Sequence, residues 1–216
     1  IALFVAVPLG LALAVYVSAY LPSDKRARVL GVLELFEGIP TVVFGYFALL
    51  FVTPLLQKVI PGLSLFNPLS AGLVMGFAIL PYVSNVAADA MQSVPRSIRE
   101  AAYALGARPY EVALKVVLPA ALSGVIAAII LAASRAIGET MIVAIAAGQR
   151  PTLTLDPRET IATMTSYIVQ AATGDQPTGS TAYYALFAVG FTLFLLTLAL
   201  NVLAQYIVER YRERYE

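Results

Sequence analysis

Residues 184–208 read YALFAVGFTLFLLTLALNVLAQYIV, 25 positions without a charge. The hydrocarbon core of a bilayer is about 30 Å thick and takes about 20 apolar residues of helix to cross. This run is therefore read as a membrane-spanning helix. Its leucine- and alanine-rich texture does not alternate, which sets aside a barrel strand. Four more runs repeat the pattern. Residues 1–23, 38–57 and 68–88 carry no charge, and residues 119–148 carry two, Arg135 and Glu139. The expectation is an all-α polytopic integral membrane protein with five visible spans.

Composition points the same way. Apolar residues make up 60% of the 216-residue chain and charged residues 12%, against about 45–50% and about 25% in soluble domains. Mean hydropathy is +0.82. The chain has no cysteine and no histidine, which removes disulfides, thiolate chemistry, the Ser-His-Asp triad and histidine metal sites. A net charge of +1 implies no electrostatic pull on nucleic acid.

Lysine and arginine positions give the orientation. Lys25, Arg26, Arg28, Arg96, Arg99, Arg108, Lys115, Arg210, Arg212 and Arg214 fall in one set of polar segments. Only Lys58, Arg150 and Arg158 fall in the alternate set. The positive-inside rule assigns the first set, with the C-terminus, to the cytoplasm. Five spans then leave Ile1 outside, so parity predicts a sixth helix upstream. The chain opens on Ile1 in mid-span with no Met and no basic n-region. Residues 1–22 therefore do not read as a signal peptide, although Val17-Ser18-Ala19 is superficially cleavage-like.

The whole chain, 1–216, reads as a single transmembrane domain. Residues 58–67 form a short external turn and residues 149–183 a longer external loop. In the latter, Ile161, Met164, Tyr167 and Ile168 fall at helical spacing; such a helix would lie along the membrane surface or pack over the outer mouth of the bundle. No GxxxxGK[ST] loop is present, so ATP hydrolysis by that route is excluded.

The segment 93–118 has a pattern of its own. Pro95 suits a helix start, Arg96 and Glu100 stand four residues apart, and Gly106 suits a helix end. Pro109 opens a second helix with Glu111 and Lys115 at the same spacing. A helix–Gly–helix knob of this kind fits a groove on a partner; it equally fits a solvated amphipathic connector. Among intramembrane polar groups, Asn85 and Asp89 share a helix face with Ser84 nearby and either line a path or bond between helices. Pro81 is expected to kink that helix, and Asn201 and Gln205 to bond to neighbouring helices.

Glu100-Ala101-Ala102, then Gly106, Val116 and Leu118-Pro119, resembles the EAA-x3-G-x9-I-x-LP signature of ABC importer permeases, with Val116 at the isoleucine position. The resemblance implies a type I, MetI-like helical bundle and makes 93–118 the cytoplasmic coupling loop, with Glu100, Ala101, Ala102 and Gly106 as coupling residues. Ser134-Arg135-Ala136-Ile137-Gly138-Glu139-Thr140-Met141 is similar to a segment of phosphate-specific transport (Pst) permeases, of the PstC-type subunit, as is Gly38-Ile39-Pro40-Thr41. One departure is Ala19, where that family usually carries an acidic residue before Tyr20. The resemblance implies a channel subunit of a phosphate importer in a cell membrane. Its partners would be a second, PstA-type permease, two ATP-binding subunits that carry Mg-ATP, an extracytoplasmic phosphate-binding protein and the lipid bilayer. This chain itself would be no enzyme and bind no cofactor.

Arg135 and Glu139 are the expected substrate-path residues. A charge at bilayer depth costs at least about 2.5–3.5 kcal/mol and so faces the protein interior or a wet path. On a straight helix Arg135 lies about 24 Å beyond Pro119, toward the outer side, with Glu139 one turn on. A guanidinium fork matches phosphate oxygens, and Glu139 would temper its hold. The alternative is an intramembrane ion pair that locks the helix to a neighbour. Permeases for sulfate or molybdate, and a non-transporting assembly subunit, also remain compatible with these motifs.

Overall fold

The structure, a computed structural model, describes residues 1–174 and 177–211, with Ser23 and Tyr211 described by backbone alone. Arg212 and Arg214, counted above for orientation, lie outside the described residues. Among the described residues every regular element is helical: α1 (Ala2–Tyr20), α2 (Ser23–Glu37), α3 (Thr41–Gln57), α4 (Pro68–Gln92), α5 (Arg96–Ala104), α6 (Pro109–Ala120), α7 (Leu122–Gly138), α8 (Met141–Ala146), α9 (Met164–Thr173) and α10 (Thr181–Tyr211). Prolines mark the starts. Pro22, Pro40 and Pro95 immediately precede α2, α3 and α5, and Pro68 and Pro109 are the first residues of α4 and α6. At these positions a missing N–H forfeits no helical bond.

Helices α1, α4 and α10 are each long and apolar enough to cross a membrane. The number of spans rises to five if the bent pairs α2–α3 and α6–α7 each count as one. Three of the expected runs are thus intact helices, and α3 fills the run 38–57. The run 119–148 departs from expectation. It bends by 74° between α6 and α7, where Ala121 leaves helical geometry, and it breaks again after Gly138, with α8 starting only at Met141. Arg135 therefore sits at the end of α7, not midway along a straight rod.

The described residues fall into two compact units. In the unit formed by Ile1–Leu3, Ile39–Ala78 and Ser134–Ala199, Ala48, Ala71, Val74, Val143, Ala146 and Ala147 form the core. Gly45 lets α3 lie against α8, since a Cβ there would stand 3.0 Å from Ile145 and 3.1 Å from the Met141 carbonyl. Helix α10 turns Tyr184, Phe187, Phe191 and Phe194 outward, as lipid-facing aromatics would.

The other unit comprises Phe4–Gly38, Ile79–Ala133 and the chain from Leu200 on. Its core is mostly alanine and valine: Ala14, Ala87, Ala88, Val94, Val112, Val117, Val125 and Ala128 around Met91. Small residues are what close helix packing in a membrane requires. At the tightest approach, a Cβ on Gly124 of α7 would stand 2.5 Å from the Ala90 Cβ of α4. Gly124→Ala is therefore expected to cost about 1–3 kcal/mol by overpacking. Thermal unfolding of the purified protein checks this, and Ala90→Gly in the same chain should restore part of the loss.

Within this unit α4 continues unbroken through buried Pro81. Ser84 donates to the Leu80 carbonyl of its own helix at 2.9 Å, and Asn85 Nδ2 donates to Glu37 Oε1 at 3.4 Å. Asn201 and Gln205, expected to bond to neighbours, are exposed, and among the described residues neither side chain makes a hydrogen bond.

Candidate functional site

Segment 93–118 holds α5 and most of α6, joined through Gly106. Helix α5 ends in a Schellman turn: Gly106 adopts φ +82°, its N–H reaches the Tyr103 carbonyl at 2.9 Å, and the Ala107 N–H reaches the Ala102 carbonyl at 3.2 Å. Left-handed geometry at this position favours glycine. Ala102 is buried in the core of its unit, whereas Glu100, Ala101 and Gly106 are exposed. The outer face continues through Tyr103 and Leu105, the latter 89% exposed, to Tyr110 and Leu114. An apolar surface carried on two short helices is the chemistry of a docking element.

One of the two expected ion pairs forms. Glu111 Oε2 accepts the Arg108 N–H at 3.0 Å, and Oε1 accepts Lys115 Nζ at 3.2 Å. Both bonds hold the Glu111 carboxyl below the usual range, the backbone bond most. Arg96 and Glu100 form no pair among the described residues. Exposed pairs at this spacing are worth only tenths of a kcal/mol, and neither partner has a second bond to fix it.

Two arginines, read above only as positive charges, bond to the helix ends beside this segment, and of the two Arg99 alone ties the segment itself to α4. Arg26 of α2 donates from Nε to the Val17 carbonyl at 3.1 Å and from Nη2 to the Ser18 and Leu21 carbonyls at 3.0 and 3.3 Å. Its Nη1 donates to Gln92 Oε1 at 3.1 Å. Arg99 of α5 donates from Nη2 to the Met91 carbonyl in the last turn of α4, and its buried Nε has no partner among the described residues. Burial, then the charge of Arg26, keeps the Arg99 guanidinium below its ordinary range.

The second stretch lies around the break after α7. Arg135 is exposed and sits in the last turn of that helix, where the macrodipole favours a cation. Glu139 is not its helical neighbour, because α7 ends at Gly138. Instead, Glu139 Oε1 accepts the N–H groups of Thr140, Met141 and Ile142 at 3.1, 3.0 and 3.3 Å and caps α8. The Glu139 carbonyl accepts Thr165 Oγ1 of α9 at 2.8 Å. Helix α9 buries Thr165, Ser166 and Ala171, half-buries Tyr167 and Ile168 and exposes Met164, while Ile161 precedes it and packs against the core of its unit. A Thr163–Ser166 capping box starts it. Glu139→Ala is expected to cost about 1 kcal/mol as a lost helix cap in thermal unfolding, with Glu139→Gln close to wild type.

Sequence reading passed over Asn67. Fully buried, it caps α4 by accepting the Ser70 N–H at 2.7 Å, donates to the Ser64 carbonyl at 3.0 Å and lies 3.4 Å from Thr53 Oγ1. Its own N–H reaches the Ala146 carbonyl at the end of α8, and Thr53 Oγ1 donates to Ser70 Oγ at 2.7 Å. The dipeptide Asn67-Pro68 before an apolar run was the available signal.

The model of the family of binding-protein-dependent transport system inner membrane components matches residues 6–213. Similar curated proteins include the probable ABC transporter permease protein YqgH of Bacillus subtilis, 32% identical across 95% of this chain and 66% of that protein. The phosphate transport system permease protein PstC of Xylella fastidiosa (strain 9a5c) is 32% identical across 97% of this chain and 70% of its own length. The probable PstC of Methanocaldococcus jannaschii is 29% identical across 99% and 72%. The chain thus spans about two thirds to seven tenths of these relatives. Among solved structures, an inward-facing MetNI methionine ABC transporter covers 95% of this chain and 89% of its own at 16% identity, with a TM-score of 0.68. That likeness is one of fold.

Proposed function

Because this chain belongs to the family of binding-protein-dependent transport system inner membrane components, a family of multi-pass membrane permeases whose description implies a binding protein and an ATPase as partners, we propose that it is the channel-forming subunit of an ATP-driven phosphate importer. Residues 1–216 act as one permease domain, with 93–118 as the cytoplasmic coupling loop and 149–183 on the outside. The C-terminus is cytoplasmic. A second, PstA-type permease completes the path, two ATP-binding subunits receive the coupling loops, and Mg-ATP stays on them. ATP binding shifts the bundle between outward- and inward-facing states through differential contacts at that loop. Arg135 meets the anion along the path, and Glu139 shapes the helix break beside it.

The observation that carries the ATPase partnership is the exposed face of Glu100, Ala101, Tyr103 and Leu105, ended by a glycine in left-handed geometry. Support for phosphate comes from the names of the similar PstC proteins. The test is ATPase activity of the complete reconstituted complex with its binding protein loaded with phosphate, then with sulfate. Stimulation by phosphate alone is the expected result. Stimulation by sulfate would reassign the substrate, and a verified complex without an associated ATPase would overturn the importer reading.

A further inference from the structure

Helices α1 and α4 each end with carbonyls that have no helical partner, and each end is met by an arginine from another element. Arg26 takes the Val17 and Ser18 carbonyls at the end of α1 and reaches across to Gln92, the last residue of α4. Arg99 takes the Met91 carbonyl one residue earlier. Between them, Ser18 Oγ donates to Met91 Sδ at 3.3 Å in the buried interior. Four elements, α5, α4, α2 and α1, are thereby joined through polar bonds at a single corner.

We propose that Arg26 and Arg99 are positioning residues that clamp the ends of α1 and α4 to α5, so that displacement of the 93–118 loop is passed to these spans. This rests on the importer reading for its purpose. The clamp is made of charge-assisted bonds to helix C-termini, where the macrodipole strengthens them. It also carries a built-in opposition. The two guanidiniums repel each other, and backbone carbonyls at the helix ends, with the Gln92 side chain, offset that repulsion. Among the described residues Arg99 Nε is buried without a partner, so Arg99 grips α4 through Nη2 alone. Lysine, with its three N–H groups on one nitrogen, cannot span the four acceptors that the three donor nitrogens of Arg26 serve.

The test uses the complete reconstituted complex carrying Arg26→Gln, Arg99→Gln or the corresponding lysine variants. Each glutamine variant is expected to assemble, and Arg26→Gln, which lies outside the 93–118 loop, to keep its unstimulated ATPase. Stimulation by the phosphate-loaded binding protein should fall about tenfold, and amide hydrogen exchange across 96–104 should rise about tenfold in Arg99→Gln. Lysine should restore part of the effect at position 99 and little at 26. Retained stimulation in both glutamine variants overturns the proposal, as does loss in strict proportion to lost assembly. A wild-type complex unstimulated by either anion would defeat the importer reading instead. The clamp would then be decided by exchange alone, with unchanged rates in Arg99→Gln overturning it.

Discussion

Replacing Arg135 with alanine is expected to lower phosphate uptake by about 100-fold while leaving the complex assembled. The size follows from charge-assisted bonds between guanidinium and phosphate, at about 1.5–3 kcal/mol each. The direction follows from where the residue stands: exposed, in the last turn of α7, one turn before a break in the helix. An exposed cation in the last turn of a helix contributes about 0.3–1 kcal/mol through the macrodipole, too little for its loss to prevent assembly. Arg135→Lys keeps the charge without the planar fork and should retain part of the uptake. Phosphate uptake into proteoliposomes, read beside the yield of assembled complex, checks both variants. Wild-type uptake by Arg135→Ala would remove the residue from the path.

The second large effect belongs to Gly106. Proline there cannot adopt φ +82° and has no N–H to give to the Tyr103 carbonyl. The end of α5 must therefore rebuild at a cost of about 3 kcal/mol. ATP hydrolysis is expected to continue in Gly106→Pro, with transport lost and stimulation by the loaded binding protein absent. Gly106→Ala is the control. No atom lies within 4 Å of the site a Cβ would occupy, so it adds only the left-handed strain of about 1–2 kcal/mol. Its coupling should be weakened but present. Transported phosphate per ATP hydrolysed, measured for all three proteins, separates a backbone requirement from a simple loss of space. Unchanged coupling in Gly106→Pro would count against the docking role.

The apolar runs were legible because length and composition alone distinguish a bilayer-spanning helix. Gly106 was legible because a glycine after a short helix, with Pro109 following, has few other uses. The break after Gly138 was not. Glu139 sits inside an otherwise apolar run, and helical spacing pairs it with Arg135 only if the helix continues. Its carboxylate instead takes three amides at the start of the next helix, those of Thr140, Met141 and Ile142, a competition that no periodicity records. Spacing likewise could not tell the formed Glu111–Lys115 pair from the unformed Arg96–Glu100 one. The difference is the Arg108 N–H, which fixes Glu111 first. Arg26 and Arg99 were visible only as charge, because one of the acceptors that Arg26 finds lies 66 residues away in sequence.

The junction at Asn67 has a consequence for acidity. Thr53, Asn67 and Ser70 join the ends of α3 and α8 to the start of α4 entirely through neutral hydroxyl, amide and backbone groups. None of these gains or loses a proton between pH 5 and 8, where histidine usually supplies the switch, and the chain contains no histidine. A drop in pH over that range leaves this anchorage intact. Acid sensitivity of uptake would then originate elsewhere, in the anion's own protonation, in this chain's carboxylates or in the other subunits, and not in a loosening at this corner of the permease.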